Sequence, residues 1–128
     1  MANDFLYTIL PSTRSIRLLR LYPGAGSDAI VTSMELIEDY SESPPYYALS
    51  YCWGDANDVV GLVCNGKTVQ ATKNLYNALH HFRQKGQYGL IWCDALCINQ
   101  RDISERNQQI SIMDKIYRRA SRVYVWLG

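Results

Sequence analysis

Polar residues with the right chemistry for a binding site follow directly on the most hydrophobic stretch of the chain. Leu90 to Cys93 are typical of a buried strand; Asp94 comes next, and Asn99 and Gln100 lie a few residues further on. Carboxylates accept hydrogen bonds, and side-chain amides both donate and accept them, so these residues could hold ribose hydroxyls or amide groups. The segment "LIWCDALCINQ" (90–100) is therefore the first candidate site.

A second strand supplies the other half of the predicted site. "YYALSYCW" (46–53) is apolar and is followed by Gly54 and Asp55. If the two strands are parallel, their polar ends meet at the carboxyl edge of the sheet, where open α/β sheets bind ligands. We therefore predict a nucleotide-sized cleft in which Trp53 stacks on a base. Its candidate residues are Ser50, Trp53, Gly54, Asp55, Asp94, Asn99 and Gln100.

A structural interpretation of the same residues stays open. Asp and Asn often shape turns through bonds to their own backbone, so Asp94 could serve only to fix the loop that follows it. Glu105 is the second acid that could take part in catalysis. Asp102 and Glu105 also match a capping box, however, and that pattern explains Glu105 without any chemistry.

Other signals predict structure rather than a site. "GAGSDA" (24–29) resembles a dinucleotide fingerprint, but the β-branched residues after it predict a strand instead of the helix that the mechanism needs. Cys93 and Cys97 are spaced poorly for zinc, and His80 and His81, adjacent on a helix, point about 100° apart. We expect core cysteines, surface histidines and no metal site.

Composition restricts the class of protein. The chain has 128 residues, 48% of them hydrophobic and 20% charged, which fits one compact domain with a real core. A net charge of +1 with scattered basic residues predicts no nucleic-acid partner. No apolar run is long enough for a membrane span, and the first residues lack the features of a secretory signal. Four irregularly spaced cysteines favour a reducing, cytoplasmic location.

Periodicity predicts an α/β fold with a mixed, partly parallel sheet and flanking helices. Apolar and β-branched stretches predict strands at 15–24, 29–38, 46–53, 90–93 and 123–128. Asn65-Gly66 predicts the turn of a hairpin between 59–64 and 67–71. Helices are predicted at 72–86, with Thr72 as N-cap, and over roughly 18 residues after Asp102. The last two strands and the helix between them form a βαβ unit, which should be parallel and covered on both faces.

Three segments together resemble a known family. "YYALSYCWGD" (46–55), "NLYNAL" (74–79) and the stretch from "IWCDALCINQRD" to "VYVWLG" (91–128) closely resemble the HET domain, the heterokaryon incompatibility domain of filamentous fungi. The resemblance extends over residues 15–128 and leaves 1–14 as an N-terminal tail. It implies a TIR-like, flavodoxin-like fold with an N-terminal β extension and the inserted hairpin.

The resemblance also implies a function. HET domains act in non-self recognition and trigger programmed cell death, a form of fungal innate immunity, often when joined to sensor or oligomerising domains. Some TIR domains cleave NAD, so NAD becomes a candidate substrate, with no cofactor required. In that chemistry a carboxylate stabilises the oxocarbenium-like transition state, and Asp94 and then Glu105 are the candidates.

Two expectations about this chain follow from the family pattern. The family continues beyond the W-L-G strand into an R-x-W-x-x-Q-E-like segment that would carry the catalytic glutamate, so the domain is expected to be incomplete after Gly128. Whether the chain is an enzyme therefore stays open. The alternative is a non-enzymatic assembly module, in which the last strand offers an exposed edge for homotypic contacts.

Overall fold

Seven strands and four α-helices make up the part of the chain that the computed structural model describes, residues 7–51 and 54–127. The strands are β1 (Ile16–Leu21), β2 (Val31–Ile37), β3 (Tyr47–Tyr51), β4 (Val59–Cys64), β5 (Lys67–Thr72), β6 (Gly89–Trp92) and β7 (Arg122–Trp126). The helices are α1 (Lys73–Gln84), α2 (Asp94–Cys97), α3 (Ile103–Ser111) and α4 (Met113–Arg119), with a 3-10 turn at Tyr40–Glu42. No helix within these residues is long and apolar enough to cross a membrane.

All seven strands form one mixed sheet in the order β5-β4-β2-β1-β6-β3-β7. β3 lies between β6 and β7 and is parallel to both, whereas β1 is antiparallel to β6 and to β2. The predicted mixed α/β sheet is thus confirmed. The two strands that carry the candidate site are parallel, which meets the condition on which the predicted cleft depended. The strands of the predicted βαβ unit, β6 and β7, share a direction but have β3 between them.

Local signals correctly predict the hairpin and the first helix. Asn65 and Gly66 both have positive φ, at 53° and 77°, which is the geometry of the predicted tight turn between β4 and β5. The Thr72 hydroxyl accepts a hydrogen bond from the Leu75 amide at 3.3 Å and so caps α1. Gly86 has a φ of 72° just beyond the helix end, a conformation that favours glycine.

The prediction of a single helix after Asp102 is wrong, because the helix is interrupted at Ile112. Ile112 has φ −112° and ψ 8°, and its amide bonds to Gln109 rather than continuing the α-helical pattern. The break lets Gln109 bind the Ser15 carbonyl at 2.9 Å while Ile112 and Ile116 are both buried. Neither glycine nor proline marks the break, so the local sequence carried no signal for it.

The prediction that the last strand is covered on both faces is also wrong. Val123 and Val125 are 44% and 68% exposed, and β7 forms one end of the sheet. Tyr124 and Trp126, on the other face, contact α1 through Phe82 and His81 at ring distances of 5.0 and 5.2 Å. Within residues 7–51 and 54–127, therefore, β7 is packed on one face only.

Residues 7–14, from the predicted tail, lie against the sheet. The Tyr7 hydroxyl donates to the Leu96 carbonyl at 2.9 Å, and the Thr8 carbonyl accepts from Arg17 at 2.6 Å. Ser12 contacts the Glu38 carbonyl at 3.3 Å. These contacts attach the segment to β1, to α2 and to the end of β2.

Candidate functional site

The parallel strands β3 and β6 bring two of the candidate residues, Ser50 and Asp94, to the same edge of the sheet. Trp92 is in register with Ala48, and Ala48 with Val123, so these three side chains share one face of the sheet. On that face Tyr117 of α4 packs edge-on against Trp92 at 5.4 Å. α1 lies on the opposite face, where Phe82 and His81 contact β7. Open α/β sheets bind ligands at the carboxyl ends of their parallel strands, which is where Ser50 and Asp94 lie.

Four polar side chains gather at this edge. Tyr117 bonds to Ser50, and burial followed by the nearby Asp94 carboxylate raises the pKa of the Tyr117 phenol. Burial also raises the pKa of the Tyr51 phenol well above its ordinary value, with Cys93 and Asp94 adding to the rise. A phenol is protonated at neutral pH even at its ordinary pKa of about 10, so both hydroxyls can donate hydrogen bonds beside a carboxylate. This cluster, defined here as Ser50, Tyr51, Asp94 and Tyr117, is called the edge cluster.

Asp94 itself does not lie in an irregular loop, as its flanking residues had suggested. It begins the short helix α2, and its carbonyl accepts from the Ile98 amide at 3.2 Å and from the Gln100 side chain at 2.9 Å. The helical turn fixes the direction in which the Asp94 side chain leaves the end of β6. Gln100, a predicted ligand-binding residue, supports that turn by bonding to its backbone.

The two cysteines at this edge are structural. Cys93 and Cys97 are both fully buried, and the Cys93 amide contacts the Cys97 sulfur at 3.5 Å. A hydrogen bond with Cys97, together with burial, raises the pKa of the Cys93 thiol well above its usual value. A thiol held in this state is not an activated nucleophile.

Glu105, the second acid predicted for catalysis, is used in an ion pair. Its carboxylate receives two bonds of 2.7 Å from Arg17, whose side chain is only 2% exposed, and a third of 2.6 Å from the Asn99 amide. The capping box is therefore only half formed: Asp102 accepts from the Glu105 amide at 3.1 Å, while the Glu105 carboxylate binds elsewhere. Arg17 also donates to the Cys97 carbonyl at 3.3 Å, so the pair fixes the segment between α2 and α3.

The remaining predicted residues take part in local turns. The Asn99 side chain accepts from the Arg101 amide at 3.3 Å, and the Asp55 carboxylate accepts from the Asn57 amide at 2.9 Å. Gly54 has a φ of 67°, and a Cβ there would come within 2.8 Å of the Asn74 amide nitrogen on α1. Trp53 lies outside the described residues.

The glycine-rich "GAGSDA" segment forms a turn, as predicted, and not a nucleotide-binding helix start. Arg83 of α1 is 2% exposed and donates to the carbonyls of Gly26, Asp28 and Ala29 at 2.9 to 3.0 Å. The His80 ring nitrogen lies 3.0 Å from the Gly26 carbonyl. Side chains of α1 therefore hold this segment through its main-chain carbonyls.

Comparison with known proteins agrees with the motifs at this edge. The model of the heterokaryon incompatibility protein (HET) family matches residues 46–128. The chain belongs to the HET family. It is also 34% identical over 131 residues to heterokaryon incompatibility protein 6, OR allele, of Neurospora crassa. That match covers 92% of this chain and 19% of the relative, so the chain spans about a fifth of the relative's length. No solved structure matches the chain significantly.

The HET match contains the whole edge cluster but not the first two strands. It begins at residue 46, just before β3, and runs through β7. β1 and β2 precede it, and β1 supplies Arg17 to the ion pair with Glu105. The strand that fixes the segment after β6 thus comes from outside the region that the family model matches.

Sequence reasoning missed two members of the edge cluster in this HET chain. Tyr117 repeats with helical spacing among apolar residues, a pattern that favours core packing, whereas its hydroxyl bonds to Ser50. Tyr51 lies inside a strand whose alternation predicts only burial. Its strand-end position was the available signal, because the side chain at the carboxyl end of a parallel strand faces the ligand edge.

Proposed function

We propose that this chain is an effector module of fungal heterokaryon incompatibility that acts in the cytoplasm and binds an NAD-type nucleotide at its edge cluster. Binding is the step that leads to programmed cell death after incompatible cells fuse. Membership of the HET family supports the biological role. The observation that carries the biochemical part is the meeting of the Asp94 carboxylate with two protonated phenols at the carboxyl ends of parallel strands.

The edge cluster has the groups that nucleotide recognition needs. The Asp94 carboxylate can accept bonds from ribose hydroxyls, while the Tyr51 and Tyr117 hydroxyls can donate to ring nitrogens or to oxygens. If the nucleotide is hydrolysed, the bond between the ribose carbon and the nicotinamide nitrogen breaks and its electron pair leaves with nicotinamide. Water then adds to that carbon and releases a proton to the solvent. A nearby carboxylate stabilises the positive charge that develops on the ribose. Asp94 is the candidate for that role, because Glu105 is held by Arg17.

A titration of the 15N-labelled chain with NAD tests the binding. We expect shift changes confined to residues 50–55 and 94–100 and to Tyr117, and loss of those changes in Asp94→Asn. Asp114→Asn is the matched control, since Asp114 is an exposed carboxylate in an ion pair with Arg118 of its own helix. A wild-type chain that stays folded and shows no shift change with millimolar NAD contradicts the proposal.

A second function is favoured by the exposed apolar side chains of β7. Val123 and Val125 on β7 are 44% and 68% exposed, and Leu127 just after it is 85% exposed; the outer edge of this strand pairs with nothing in the described residues. Such an edge can pair with another chain, so the module would signal through homotypic assembly. Light scattering tests this: Val125→Lys should abolish self-association, whereas Ile110→Lys, at a 54% exposed site on α3, should not.

A further inference from the structure

A cavity lies between the end of α1 and the edge strand β7. Its volume is about 530 Å³, within the range of about 300–1,000 Å³ that small-molecule sites have. No member of the edge cluster lines it, so it is separate from the proposed nucleotide site. The described residues that line it include His81, Phe82, Lys85, Gln87, Tyr124 and Trp126.

Aromatic rings form the walls of this cavity. Phe82 on α1 contacts Tyr124 at a ring distance of 5.0 Å, and His81 contacts Trp126 at 5.2 Å. Tyr124 and Trp126 alternate along β7, so both side chains project towards α1, and each is only partly buried. Flat π-systems pack in offset or edge-on arrangements against such rings. The walls therefore suit a flat aromatic ligand.

A basic side chain and a hydroxyl lie at the same cavity. The side-chain nitrogen of Gln87 donates to the Tyr124 hydroxyl at 2.8 Å, and a hydroxyl that accepts a bond keeps its own hydrogen for another acceptor. Lys85 is exposed, and neither Asp nor Glu is among the described residues that line the cavity. An ammonium group and a hydroxyl donor without a competing carboxylate suit an anionic oxygen.

The charge of the cavity favours a carboxylate over a phosphate group. Lys85 is the single Lys or Arg among the described lining residues, so the cavity offers one full positive charge. A carboxylate carries one negative charge, whereas a phosphate monoester carries about −1.5 to −2 at neutral pH. A carboxylate is therefore neutralised without leaving excess charge against the aromatic walls.

We propose that this cavity binds a small aromatic carboxylate, with the ring against Trp126 and the carboxylate bonded to Lys85 and the Tyr124 hydroxyl. The site is additional to the nucleotide site and does not depend on it. Its ligand lies against β7, the strand whose outer edge is unpaired in the described residues.

Calorimetric titrations of the full chain with 2-naphthoate and 2-naphthamide test the role of charge. The two probes share one ring system and differ in charge, so the ratio of their affinities reports the contribution of the basic side chain. Naphthoate should bind about three- to tenfold more tightly, as expected for a partly solvated ion pair together with a hydroxyl bond to a charged oxygen. Lys85→Gln should remove most of this preference and leave the affinity for naphthamide unchanged.

Lys115→Gln is the matched control. Lys115 is also exposed, but it lies on α4 and is not among the residues that line the cavity. Both variants replace an exposed side chain, so their melting temperatures should stay close to that of the wild-type chain. The preference for naphthoate should persist in Lys115→Gln.

Shift changes in the 15N-labelled chain locate the bound probe. We expect them at residues 81–87 and 124–126, including the Trp126 indole N–H, and not at residues 94–100. This pattern, with the preference lost in Lys85→Gln alone, supports the proposal. Equal affinities for the two probes, an unchanged preference in Lys85→Gln or shifts confined to other residues overturn it. A folded wild-type chain that binds no naphthoate at millimolar concentration also overturns it, and none of these results decides the NAD titration.

Discussion

Arg17 and Glu105, 88 residues apart in the chain, form a two-bond ion pair with both distances at 2.7 Å. The Arg17 side chain is 2% exposed and that of Glu105 is 9% exposed. The Tyr7 ring lies 5.0 Å from the guanidinium, and the Asn99 amide donates to the carboxylate. One ion pair thus joins the N-terminal segment, β1 and the segment between α2 and α3.

Glu105→Gln should strongly destabilise the domain. It leaves the buried Arg17 guanidinium without its counter-charge, and breaking a buried ion pair costs about 3–5 kcal/mol. Urea unfolding followed by tryptophan fluorescence measures the change. Asp114→Asn, in the exposed pair with Arg118, should cost less than about 1 kcal/mol. Equal losses in the two variants would show that the buried pair contributes no more than a surface one.

Arg83→Lys should release the 24–29 turn from α1. The guanidinium donates to three carbonyls at once, and a lysine ammonium does not reproduce that planar arrangement. We expect a loss of about 3 kcal/mol, with faster amide exchange confined to residues 24–30. Hydrogen-exchange mass spectrometry checks this, with Lys85→Gln on the same helix as the exposed control. Unchanged exchange in the turn would contradict the anchoring role.

Gly54→Ala should cost more than Gly66→Ala, although both glycines have positive φ. Gly66 has no atom within 4 Å of a built Cβ, so only the backbone penalty of about 1–2 kcal/mol applies. At Gly54 the added methyl group must also displace the Asn74 amide, 2.8 Å away, at the start of α1. Thermal melts of the two variants isolate this contact; a smaller loss for Gly54→Ala would show that Asn74 moves without cost.

At pH values below about 4 the free energy of unfolding should decrease, and part of this decrease should depend on Asp39. A hydrogen bond from Arg14, reinforced by Ser41, lowers the pKa of this carboxyl from 3.8 to about 2. Since the folded pKa is the lower one, the stabilisation is present above pH 3.8 and is lost as the pH falls towards 2. Asp39→Asn should flatten this part of the stability profile, and Arg14→Gln should have the same effect. An unchanged acid profile in both variants argues against the interaction.

The sequence by itself determined the elements whose signals are local. Asn65-Gly66 specifies a turn with two positive φ angles, and Thr72 supplies a cap bond within its own helix, so neither depends on distant residues. The shared direction of β6 and β7 could also be predicted, because continuous apolar strands joined by a helix favour a parallel arrangement; for β3 the sequence offered it only as a condition. The positions of Ser50 and Asp94 at one edge depended on that condition.

Tertiary structure decided the matters that depend on distant partners. The capping box at Asp102 and Glu105 forms only in part. Arg17 lies 88 residues earlier in the chain, and its guanidinium binds the Glu105 carboxylate more strongly than a backbone amide does. Ile112 breaks a helix that its neighbours favour, since the break allows Gln109 to bind Ser15. Whether the Tyr51 and Tyr46 hydroxyls find acceptors depends on which atoms the folded chain places beside them, and the spacing of residues along the sequence carries no record of that.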